Sequence, residues 1–173
     1  MGAEHGKTQH SKETLSFNSF TGYYGSMPAG YGGFNYVSMQ YLNATYWESI
    51  ETNWCDTGYQ NVDHGAGEAV AIQGYSIFET LNVKETFSLK SMVAASAWET
   101  HQPFTFASYT YSEKQKYWVL KASVTVYLSQ TAKTINFAKL GKQGDFANIG
   151  LLLMKAGSGS YGNTATLRPR APM

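Results

Sequence analysis

Between residues 14 and 156 the apolar positions recur every second residue, the spacing of half-buried strands, and not every 3.6 as on a helix. LSFNSF (15–20) alternates Leu15 and Phe17 with polar partners. EAVAIQGYSIFE (68–79) reads as two short strands broken at Gly74. ETFSLKSMVAASAWE (85–99) alternates Phe87 and Leu89, then turns small and apolar. Its alanines would suit a helix, but the Phe-Ser-Leu-Lys approach and the Thr/His/Gln/Pro exit favour a strand followed by a loop. FTFASYTYS (104–112) sets Phe104, Phe106, Ser108 and Thr110 on one face and Thr105, Ala107, Tyr109 and Tyr111 on the other. YWVLKASVTVYLS (117–129) and TINFA (134–138) continue the series. DFANIGLLLMKA (145–156) is almost wholly apolar, the pattern of a strand central in its sheet. Strands spaced by 8 to 15 residues, with turn residues between them, predict an all-β antiparallel sandwich. Residues 1–13 read as a flexible arm and 14–156 as one domain. Residues 157–173 read as a Gly/Ser/Pro-rich tail with at most one short closing strand at TATL.

Composition narrows the function classes. The chain has 173 residues, enough for one domain with a real core. Only 14% of residues are charged and the net charge is +1. Nucleic-acid binding driven by counterion release is therefore excluded, because no Lys/Arg cluster exists to replace the counterions. Hydrophobic residues at 43% and aromatics at 15% can bury ample surface, which argues against disorder. A chain that stays soluble through Tyr, Ser, Thr, Asn and Gln more than through charge has an extracellular, β-rich composition. The leader MGAEHGKTQHSKET lacks an apolar signal core, so the expectation is a secreted chain whose signal peptide has been removed. The longest apolar run, IGLLLM (149–154), is too short to span a bilayer as a helix, and the single cysteine, Cys55, cannot form an intrachain disulfide. The sequon Asn43-Ala44-Thr45 agrees with a secretory route.

Enzyme signatures mostly fail. The chain has no Walker A loop, no HExxH, no CxxC and no nucleophile elbow in a strand–turn–helix setting. No catalytic residue is assigned. The richest polar constellation is the loop CDTGYQNVDHGAGEA (55–69), where Asp56, Asp63 and Glu68 are hard oxygen donors on a glycine-bent backbone. Such a set suits calcium, although turn chemistry accounts for the same residues and is the preferred reading. A small hydrolase built on Asp56, Asp63 and His64 is the enzymatic alternative. Carbohydrate recognition asks for rings that stack on the apolar face of a pyranose and for side chains that hold its hydroxyls. Tyr46, Trp47, Trp54, Tyr59, Trp98 and His101 are the candidate rings, near strand ends or loops, with Asn61 and His64 beside them in sequence. Tyr and Trp equally serve protein contacts, so a host-interaction protein is the other alternative.

The order of segments then becomes informative. Pro28 to Tyr36 reads P-x-x-Y-x-G-F-x-Y, GYQNV follows at 58–62, then a Gly-rich turn, AVAIQG, and FSLKSMVAASAW at 87–98. This resembles a group of secreted jelly-roll domains of bacterial cell-surface proteins and some microbial eukaryotes. Their pattern runs YxGFxW, GYxN…G…A and FxLxSxxxxAAW. The resemblance covers roughly residues 15 to 155. It implies a non-catalytic β-sandwich of galactose-binding or carbohydrate-binding-module type, whose partner would be a glycan or a cell-surface protein. Relatives of this pattern close on an Asp-Asn pair, where this chain has TATLRPRAPM, and often carry an acidic residue where Asn18 stands. On this reading YGGFNYVSM (31–39) is a strand, and Phe34, Tyr36, Phe87, Leu89, Trp98, Val124, Val126, Leu151 and Leu153 form the core.

Overall fold

The structure, a computed structural model, describes residues 15, 20, 24–43, 58, 61, 68–157 and 164–169, without the side chains of 68–73 and 164–169. Among them nine strands alternate with short turns and two single 3-10 turns. The strands are β1 (Tyr24–Ser26), β2 (Phe34–Asn43), β3 (Glu68–Thr80), β4 (Ser91–Ser96) and β5 (Gln102–Ser112). They continue with β6 (Tyr117–Leu128), β7 (Lys133–Asn136), β8 (Leu151–Ala156) and β9 (Thr164–Pro169). Every pairing is antiparallel, as the two-residue period requires. The segment SMVAAS is strand β4, not helix.

The architecture turns on β3. Its residues 75–79 pair with β8, whereas residues 70–73 pair with β9. Strand order is therefore β6-β5-β8-β3 on one wing and β3-β9-β4-β7 on the other. Gly74 sits where the partner changes, with φ +68, a left-handed conformation that costs a residue with a Cβ about 1–2 kcal/mol. On the neighbouring strand Ser38 also has positive φ, 55°, and the β2–β3 register jumps between Val37 and Met39. The two irregularities face each other, and the buried Ser76 hydroxyl donates to the Ser38 carbonyl at 2.6 Å. EAVAIQGYSIFE is thus one continuous strand with a bend, not two strands. The glycine marks a change of partner within a single strand.

The wings enclose a single core. Phe104 and Phe106 of β5 and Leu152, Met154 and Ala156 of β8 are buried from one side, Met92, Ala94 and Ile135 from the other. Phe137, in the 3-10 turn after β7, crosses between them. Its ring meets Phe106 edge-on at 5.1 Å and Phe146 at 5.0 Å. A second aromatic knot holds the start of β2: Phe34 stacks on Phe78 at 4.1 Å, and Phe87 meets both edge-on. Phe34, Tyr36, Phe87, Leu89, Val124 and Val126 pack partly buried against the core, as expected. Trp98 is half-buried and outside the core cluster.

Two expectations need correction. The apolar run 145–156 is only half strand: Asp145–Gly150 is a turn region in which Asn148 has φ 50° and the Asp145 carboxylate accepts from the Lys142 amide at 2.7 Å. Within β8, Leu152, Met154 and Ala156 face the core cluster and Leu151 is buried as expected, while Leu153 is only half-buried. Leu152 lies opposite Phe78 and Ser108, and Met154 opposite Ser76 and Phe106. A run apolar at every position has no alternation of its own, so its neighbours set its parity.

Three consequences are measurable. Phe106→Ala is expected to lower unfolding free energy by about 3–5 kcal/mol, because it opens a cavity at the wing junction. Gly74→Ala should cost about 1–2 kcal/mol through φ alone, since no atom crowds a Cβ there. Both are read as shifts of the urea midpoint at unchanged slope. The Tyr36 hydroxyl donates to the Tyr31 carbonyl at 2.8 Å, and burial, reinforced by Tyr31, pushes its pKa well above the ordinary phenol value. A raised folded pKa means this contribution is intact below about pH 10, the unfolded value, and is lost as pH climbs through the folded one. Tyr36→Phe should accordingly show a smaller fall in urea midpoint between pH 9 and pH 11.5 than the parent chain.

Candidate functional site

At one end of the molecule the β4–β5 and β6–β7 connections are drawn together. Strand β4 stops at Ser96, whose hydroxyl accepts from the Glu99 amide at 2.9 Å and bends the chain outward. The Ser96 amide donates to the Ser129 carbonyl at 2.8 Å, tying one connection to the other. The Gly58 amide donates to the Ala97 carbonyl at 3.1 Å, and a Cβ at Gly58 would overlap the Ser96 carbonyl, so close backbone approach demands glycine here. The Asn61 carboxamide donates to the Gln130 carbonyl at 2.9 Å.

On this platform His101 and Tyr127 stack face to face, centroids 4.3 Å apart and planes within 12°. Both rings are exposed, Tyr127 at 54%. Tyr127 points outward because Val124, Val126 and Leu128 point toward the core and β6 alternates. The same outer face continues across the strands. Thr125 lies opposite Thr105, Thr105 opposite Lys155, and Lys155 opposite Tyr75. The two threonine hydroxyls are hydrogen-bonded at 2.8 Å, Lys155 is exposed, and Tyr75 is 55% exposed. A pair of stacked rings therefore borders a row of hydroxyl and ammonium groups, and all but His101 are carried on strands whose opposite face is fixed by the core.

No family model, curated protein or solved structure matches this chain. The site must be judged on its own chemistry.

Of the rings and polar groups expected from the sequence, the structure unites Asn61, Trp98 and His101 at this end. Trp98 lies half-buried just past β4, and the Asn61 amide group holds the β6–β7 turn. Tyr46, Trp47, Trp54, Asp56, Tyr59, Asp63 and His64 lie outside the described residues. Glu68 opens β3 opposite Asn43. Among the described residues no three His, Cys, Asp or Glu side chains stand close enough to hold a metal ion. No helix among them is long and apolar enough to cross a membrane.

Tyr127, Thr105, Thr125, Lys155 and Tyr75 went unmarked as site residues. The signal was available for Tyr127 and Thr125: once Val124 and Val126 are placed inward, the intervening positions must face out. Asn61→Ala is expected to cost about 1 kcal/mol, the net worth of one hydrogen bond, and to speed amide exchange at Thr131 in the turn it secures.

Proposed function

We propose that this protein is a non-catalytic binding module of the secreted jelly-roll, carbohydrate-binding-module-like type, and that it recognises a glycan of the cell surface or cell wall. One observation carries the reading: the exposed, parallel His101–Tyr127 stack beside the Thr125–Thr105–Lys155 row. The CH-bearing face of a pyranose is apolar and weakly electropositive, so it lies favourably on an electron-rich ring. Its hydroxyls project from the rim, where Thr and Lys groups can exchange hydrogen bonds with them. Pre-stacking supports the same role. Tyr127 is held by His101 before any ligand arrives, so little side-chain freedom is lost on binding. The resemblance of the motif order to secreted jelly-roll domains supports the same reading and supplies the expectation of a non-enzymatic function.

The test is a glycan array followed by calorimetry on the ligands that bind. Tyr127→Ala and His101→Ala should each weaken binding about tenfold, equal to about 1.4 kcal/mol, with the circular dichroism spectrum unchanged. Thr105→Val should have a smaller effect that depends on the sugar's hydroxyl configuration. Absence of any glycan ligand at millimolar concentration would overturn the reading in favour of protein contacts. Full binding by the His101→Ala/Tyr127→Ala double variant would remove this face from the site.

A further inference from the structure

The sheet exposes several edges, and one is unlike the rest. β1 and β7 are three and four residues long, too short to template much pairing. β6 ends the other wing and is twelve residues long. Among the described residues, no backbone group of Tyr117–Leu128 bonds any strand but β5. Natural sheets usually blunt such an edge with charge, proline or a bulge. Here the only charged residue is Lys121, at the step where Ser108 and Tyr109 of β5 face Ala122 and Leu120. Its ammonium is turned away to the Ala147 carbonyl at 2.6 Å. That irregularity interrupts the first half of β6 and leaves Ala122–Leu128 regular, uncharged and, among the described residues, unpaired along its outer edge.

We infer that this edge is a pairing surface for a second copy of the chain, joined antiparallel about Thr125. Seven residues, AlaSerValThrValTyrLeu, are complementary to their own reverse. A two-fold axis midway between the two Thr125 residues, perpendicular to the sheet, keeps each copy's core face on the same side. It then sets Val124 against Val126, Ala122 against Leu128 and Ser123 against Tyr127, with Thr125 facing its counterpart. The core-side pairs are apolar, with the valine pair β-branched, the kind of cross-strand contact that stabilises sheets, and no like charges meet. A foreign strand would gain the same ladder, but only a second copy is assured of this side-chain match. Pairing would join two β6-β5-β8 wings into one continuous sheet. If the His101–Tyr127 platform is the glycan site proposed above, the dimer presents two of them on one face, with Tyr127 Cα atoms about 14 Å apart given strand rise and spacing. Two sites at fixed separation would then engage a repeating polymer with avidity.

Sedimentation equilibrium tests the pairing without any ligand. The chain is expected as a dimer of twice 19.1 kDa, dissociating on dilution. Thr125→Lys, which sets two ammonium groups opposite each other at the axis, should give monomer with an unchanged circular dichroism spectrum. Thr105→Lys, one strand inward on the same face, should remain dimeric. In a Cys55→Ser background, Thr125→Cys should form a disulfide-linked dimer under mild oxidation, because facing Cα atoms in a ladder lie within disulfide reach. A parent chain that stays monomeric to millimolar concentration overturns the inference, as does a dimer that survives Thr125→Lys. A dimer without glycan binding sinks only the functional proposal; glycan binding by a monomer sinks only the pairing.

Discussion

Everything in this fold depends on one strand serving two wings of the sheet. β3 hands its C-terminal half to β8 and its N-terminal half to β9, and only a sharp local bend allows both ladders to form. The bend needs a residue that accepts positive φ on β3, an irregularity facing it on β2, and a partner for the carbonyl that the irregularity leaves exposed. Gly74, Ser38 and the Ser76 hydroxyl supply these in turn. Each ordered residue costs roughly 1–2 kcal/mol of backbone entropy, so sharing one hairpin between two wings lets a chain of modest length enclose a core from both sides.

The outer face inherits its order from that core. Tyr127, Thr125, Thr105 and Lys155 need no contacts of their own to be held in a row, because their strand neighbours Val124, Val126, Phe104, Phe106, Met154 and Ala156 are packed on the other side. A binding surface built this way is more rigid than one built on loops, and only the His101 end rests on turns. Those turns are themselves tied by Ser96, Ser129 and Asn61.

Much of the strand pattern was legible because most strands bury one face only. The alternation in ASVTVYL maps onto burial in β6, and in FTFASYTYS it holds from Phe104 to Phe106, after which Ala107 and Ser108 are both buried. Legibility failed where alternation fails. LLLM is apolar at every position, so its inward side is set by Phe78 and Phe106 across the ladder and cannot be read from the run itself. It failed again in 145–150, where turn-forming Asn148 and Asp145 override a run of apolar neighbours. For the site, aromatic residues are conspicuous in a sequence where they fall in loops. Tyr127 and Tyr75 stand on strands, and their exposure follows only from the inward placement of the residues beside them. His101 was found from sequence, but its stacking partner is 26 positions away and needed the β5–β6 register to be seen.

The position of β9 carries a consequence for the order of events. β5 and β6 form a local hairpin, and β8 can join them early, so one wing assembles from near neighbours in sequence. The other wing has no such route. Among the described strands its β3 and β4 portions are paired to each other only through β9, whose Leu167 lies opposite both Val70 and Ala94. On the ribosome that wing must wait with two unpaired strand edges until nearly the whole domain has emerged. Long-range pairing of this kind is slow and leaves apolar surface open to other chains in the interval. The hazard period in this protein's synthesis is therefore set by β9, and it ends when Thr164–Pro169 slides between β3 and β4.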